Sequence, residues 1–184
     1  MKEKMQSWLG ALLGWGQRCQ SVSAEKLYAE ATRLSRRPEL FQKYGVADDV
    51  DGRFDSLSLM VILVMRRLKS LDEGGKALSQ DLFDSMFADM DLSLREMGAG
   101  DIGVSKRVRV MAEAFMGRLD SYVAAIDDND KEAFSGALKR NLFRGNETID
   151  PLASGLVDYL LDLSKKIDTL PTKALLSGQI AVFK

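Results

Sequence analysis

Apolar residues recur in this chain at three- and four-residue spacing almost from end to end, and no other feature constrains its fold as much. The clearest case is the row Leu82, Met86, Met90, Leu94 and Met97, with Phe83 and Phe87 beside it. Such a row occupies one side of a 3.6-residue helix, and Asp81, Asp84, Asp91 and Glu96 fall on its outer side. Two further stripes follow, one through Val108, Met111, Phe115, Leu119, Tyr122 and Ile126, the other through Leu152, Leu156, Leu160, Leu163 and Ile167. Leu27, Ala31 and Leu34 mark a shorter helix, as do Phe134, Leu138 and Leu142. From Phe54 to Leu71 the chain is apolar nearly all round, the pattern of a helix packed on every side. With only three prolines, such helices run without interruption. Strand-like alternation competes only at Gln179–Phe183. The pattern predicts an all-α protein, a single-domain bundle of about six to seven helices.

Local chemistry suggests where those helices begin and end. Ser23 is placed to cap the first, which ends at "SRRP" before Pro38. "GVADDVDGRFD" reads as a loop, and "DEGGK" as a break after the apolar run. Ser79 opens the next helix, Gly98 ends it, and Ser105 caps the one after. Asp150 with Pro151 behind it reads as the start of the last clear helix. Residues 1–22 stand apart from the helical body at 23–184. They hold both tryptophans, Trp8 and Trp15, with Leu9, Leu12 and Leu13, a short amphipathic segment suited to a membrane surface or to docking on the body.

The missing residue types exclude more than the present ones suggest. The chain has no histidine and a single cysteine, Cys19. Ser-His and Cys-His nucleophile pairs, the usual zinc sites and an internal disulfide are all removed. A calcium loop starting at Asp128 would need glycine at its sixth position and glutamate at its twelfth, where Ala133 and Lys139 stand. Gly98, Gly100 and Gly103 spell G-x-G-x-x-G, but a dinucleotide site needs a strand before the first glycine, and here a long amphipathic helix precedes it. Asp101 would also put a negative charge inside the phosphate loop. The glycines read as a turn between two helices, and no cofactor or metal is expected.

Charge and methionine single out the surroundings of that turn. Residues 1–47 carry eight Lys/Arg against four Glu, and residues 48–101 carry twelve Asp/Glu against six Lys/Arg. Lys106, Arg107 and Arg109 crowd the start of the helix after the turn, where the macrodipole disfavours cations. Either they fold back onto the acidic face of the preceding helix, or they meet an acidic partner. Five of the nine methionines lie between Met86 and Met116. Flexible thioethers fill core gaps, and they also line grooves that accept varied apolar helices.

The segments "DGRFDSLSL" (51–59), "LFDSMFADMDLSLREMGAGDIGVSKRVRVMAEAFMGR" (82–118) and "LKRNLF" (138–143) resemble the ubiquinol–cytochrome c chaperone family, over roughly residues 25–165. The resemblance implies an all-helical, non-enzymatic assembly factor that binds newly synthesised cytochrome b beside the ribosomal tunnel exit, before the bc1 complex is assembled. Met86, Met90, Met97 and Met111 would then grip apolar helices. Arg53, Arg95, Lys106, Arg107 and Arg109, with Asp101 among them, would meet charged loops of client or ribosome. Many members of that family carry histidine in the helix matching Leu57–Met65, where this chain has none, so any role resting on it would be absent. No long Arg- and Ser-rich presequence is present, which points to a bacterial cytoplasmic protein with peripheral contact at the inner face of the membrane. No sequence-specific nucleic-acid binding is expected. The alternatives are a helical quinone- or lipid-binding protein, an enzyme working without histidine, and a scaffold without a specific client.

Overall fold

The computed structural model describes residues 21–98, 100–146, 148–151 and 154–181, apart from the side chains at 101 and 102. Residues 1–20, on which the amphipathic N-terminal segment falls, lie outside that description, as does Leu152. The described residues form eight helices: α1 (Val22–Ser35), α2 (Pro38–Gln42), α3 (Val50–Lys69), α4 (Glu73–Glu96), α5 (Asp101–Asp127), α6 (Lys131–Asn141), α7 (Leu156–Asp168) and α8 (Thr172–Leu176). Two of these are single turns, and no strand occurs among the described residues. The architecture is the expected all-α bundle.

α3 runs through the middle, packed against α1, α4, α5 and α7. Every residue from Asp55 to Met65 is buried, which explains its all-round apolar sequence. Each buried Leu, Val or Met there is worth about 1.5–3 kcal/mol relative to exposure. α4 folds back antiparallel to α3, and α5 back against α4. Phe83 and Phe87 of α4 meet Phe115 of α5 with ring centroids 5.4 and 5.7 Å apart, edge to face. α3 and α5 are therefore parallel, as two ion pairs confirm: Asp55 meets Arg118 and Arg66 meets Asp127.

Several helix starts differ from the sequence expectation, each for a local reason. Ser21, not Ser23, caps α1, accepting the Ala24 N–H at 3.2 Å. α3 begins inside the segment read as a loop, because Asp49 accepts the Gly52 N–H at 2.7 Å. Gly52 belongs there because a Cβ would run into the Ala47 carbonyl. "DEGGK" starts α4 rather than separating it from Ser79: Asp72 accepts from the N–H groups of Gly74 and Gly75 at 3.1 and 3.2 Å. α5 begins at Asp101, with Gly100 as its cap residue, so Ser105 is already inside the helix. α7 starts at Leu156 rather than behind Asp150 and Pro151, since Gly155 is left-handed (φ 78°). That geometry ends the Asp150–Ser154 turn before it can continue into a helix.

Candidate functional site

The antiparallel packing of α4 on α3 and α5 leaves a groove where α1 comes alongside. Ser56 Oγ donates to the Ser35 carbonyl at 2.9 Å, which sets the first turns of α3 beside the end of α1. Between these helices and the last turns of α4 lies a cavity of about 250 Å3. Phe54, Leu57, Met90, Leu94 and Met111 make its apolar wall, and Val50 and Met97 form an exposed apolar lip (67% and 60% exposed). Its polar lining includes Tyr28, Arg36, Arg53 and Asp89. The Tyr28 hydroxyl donates to Asp89 Oδ2 at 2.6 Å, and burial together with that carboxylate pushes its pKa up. The cavity lies just below the size range of about 300–1,000 Å3 usual for small-molecule sites. It is suited to side chains of an apposed helix.

Four of the residues singled out in the sequence meet here: Arg53, Met90, Met97 and Met111. Met86 does not, being fully buried on the core side of α4. Four residues separate Met86 from Met90, so both share a stripe, yet the stripe passes from the core to its edge along the helix. Arg95 Nε pairs with Asp91 at 2.6 Å on its own helix. Arg109 likewise pairs with Glu113 at 3.0 Å on α5. Lys106 and Arg107 are exposed and have no ion-pair partner among the described residues. The cations after the turn thus do not show the fold-back onto the acidic face of α4. Because α5 starts at Asp101, they sit beyond its first turn, where the macrodipole penalty has largely decayed. The Asp101 side chain lies outside the described residues.

Beside the groove is a charged network that pattern-reading of the sequence passes over. Asp55, 1% exposed, accepts from Arg118 Nη2 at 2.7 Å and from Arg144 Nη2 at 3.2 Å. Arg144 also reaches Asp51 at 3.0 Å, and the Arg118 guanidinium lies 5.6 Å from the centre of the Phe54 ring. Burial pushes the Asp55 carboxyl above its ordinary range, against the pull of the two guanidiniums. Arg118 Nε and Nη1 are buried without a hydrogen-bond partner. The network fixes the first turns of α3, and with them Phe54 and Arg53, against α5 and the segment after α6. Its signal in the sequence is the one carboxylate in the run from Phe54 to Met65, which is otherwise free of charge.

The described residues thus form an all-helical body with a thioether-lined groove and charged rims. Among the described residues no group of three or more Cys, Asp or Glu is arranged to hold a metal ion. No described helix is long and apolar enough to cross a membrane. Residues 42–183 match the ubiquinol–cytochrome c chaperone family, and the chain belongs to that family. It is 26% identical over 161 residues to the ubiquinol–cytochrome-c reductase complex assembly factor 1 of Xenopus laevis, spanning 86% of this chain and 80% of that protein. It is also similar to the crystal structure of the Cbp3 homolog from Brucella abortus, at 33% identity and a TM-score of 0.79, covering 90% of this chain and 91% of that one. The family is named for a chaperone and the Xenopus protein for an assembly factor.

Proposed function

We propose that this protein promotes assembly of ubiquinol–cytochrome c reductase by holding newly synthesised cytochrome b, with apolar side chains of the client seated in the groove between α1, α3, α4 and α5. The observation that carries this reading is the meeting of Met90, Met97, Met111 and Arg53 around one open cavity, in a chain of this family. Thioethers adapt to varied side chains at little cost, which suits a client that must later be released. The exposed Lys106 and Arg107, which have no ion-pair partner among the described residues, supply a second contact, for acidic loops of the client, for the ribosome near its tunnel exit, or at the inner face of the membrane.

Affinity capture of the protein from membranes of its own host tests the proposal. Cytochrome b is expected among the captured proteins, and loss of the gene is expected to lower bc1 content. Met97→Asp puts a charge on the exposed lip and should reduce capture at least tenfold while the helical spectrum is unchanged, a loss of about 1.4 kcal/mol. Normal bc1 content without the gene, together with no captured cytochrome b, overturns the proposal.

A further inference from the structure

We infer that the groove is polarised, and that it selects an apolar helix carrying a basic residue and an acidic residue about two turns apart. This rests on the groove being the client site. At one end stands Asp89, held by the Tyr28 hydroxyl at 2.6 Å. The same two residues also line an adjoining depression of about 300 Å3, whose other charged residue is Glu25 and which no Lys or Arg lines. Asp89 is thus the one carboxylate lining the groove at this end, with Glu25 adding a second on the side of the depression.

The opposite end is basic. Eight residues of α1 separate Tyr28 from Arg36, about 12 Å along the axis. Arg36 lines the groove and is exposed, without an ion-pair partner among the described residues. The bond from Ser56 Oγ to the Ser35 carbonyl brings α3 to this same end, and Arg53 lies one turn before Ser56. Arg53 does pair with Asp48 at 2.8 Å, but both side chains are more than 60% exposed, so an occupant competes for that guanidinium at little cost. Between the two ends the wall is apolar, from Phe54 and Leu57 to Met90 and Leu94.

A helix covering this wall excludes water from both ends, and charge pairing strengthens as water leaves. An occupant with a cation facing Asp89 and a carboxylate facing Arg36 and Arg53 satisfies both ends. One with two cations leaves Arg36 and Arg53 facing like charge. Either chain direction can place an unlike pair correctly, so the selected property is the pair of unlike charges and its spacing.

Four synthetic helical peptides of about 15 residues, long enough to hold a helix, share one Leu/Phe face and test this. They carry, eight positions apart, Lys and Glu, two Lys, two Glu, or two Gln. The wild-type protein is expected to bind the Lys/Glu peptide about tenfold more tightly than either like-charged peptide. Arg36→Glu with Arg53→Glu, both at exposed positions, should reverse the order and favour the two-Lys peptide. Equal wild-type affinity for all four overturns the polarity and leaves the groove as the client site. No binding of any peptide overturns the groove reading itself, and the polarity with it.

Discussion

Asp55 is the residue on which most depends, because it is the only carboxylate in the buried face of α3 and it neutralises a guanidinium that is itself nearly buried. Truncating Asp55 removes the oxygens that accept from Arg118 and Arg144, which protonation does not, and leaves a nearly buried guanidinium with no hydrogen-bond partner. Asp55→Ala should therefore lose about 3–5 kcal/mol in denaturant unfolding, while Asp55→Leu combined with Arg118→Met recovers most of that loss. The pH dependence has the opposite sense to that of an exposed ion-paired aspartate. Burial raises the folded-state pKa of Asp55, so its contribution is fully present below about pH 4, the range of the unfolded carboxyl, and is lost as pH rises through the raised value. Unfolding of wild type and Asp55→Asn at matched pH values checks this: the stability of wild type relative to the variant should fall from acid towards neutral pH. The groove depends on the same residue. Arg53 and Phe54 immediately precede Asp55, and the network that holds Asp55 sets where they stand.

Among the elements, the turn between α4 and α5 separates what glycine does from what the G-x-G-x-x-G pattern suggests. Gly98 adopts φ +84° and closes α4, whereas Gly103 lies inside α5 with open space where a Cβ would be. Gly98→Ala should thus cost about 1 kcal/mol of backbone strain, and Gly103→Ala should gain about 0.5–1 kcal/mol of helix propensity. In thermal unfolding these amount to shifts of about 2–4 °C per kcal/mol, with opposite sign. A phosphate-binding loop would lose function on both substitutions, but a turn followed by a helix tolerates the second. Helix existence was legible in the sequence because a 3.6-residue stripe is repeated many times over, as in Val108 to Ile126. Helix starts were less so, because each is decided by one side chain among several candidates. Asp72 competes with Ser79 and Asp49 with the polar run around it, and the winner depends on which neighbouring glycine fits against backbone. Gly75 sits where a Cβ would meet the Leu68 carbonyl, a tertiary fact that no local pattern carries. The groove was half legible for the same reason: Met90, Met97 and Met111 stood out by type, but periodicity gave Met86 the same standing. Only the tertiary packing divides them into core and edge.

At the scale of the whole molecule, the parallel run of α3 and α5 places two charged junctions at opposite ends of one central helix. At the far end from the groove, Arg66 Nε donates to Asp127 at 2.7 Å, and Nη1 donates to Ser164 at 3.1 Å and to Asp168 at 2.8 Å, tying α3, α5 and α7 together. The junction borders a cavity of about 650 Å3 that shares no lining residue with the groove. Thirteen residues of α3 separate Arg66 from Arg53, about 20 Å of axis. Substitutions that far apart, with no shared partner, add almost independently. Arg66→Ala should then destabilise the fold by about 1–2 kcal/mol, the worth of charged hydrogen bonds discounted for the exposure of both carboxylates. Recovery of the client should be unchanged below the unfolding temperature. Met97→Asp should do the reverse, reducing recovery with little change in stability. Measuring melting temperature and captured cytochrome b on both variants and on the double variant separates the two ends. If the double variant shows the sum of the two losses, α3 is a rigid spacer between a structural junction and a binding end. If Arg66→Ala alone already reduces recovery, the two ends are coupled through α3, and the groove cannot be a site built only from its own lining.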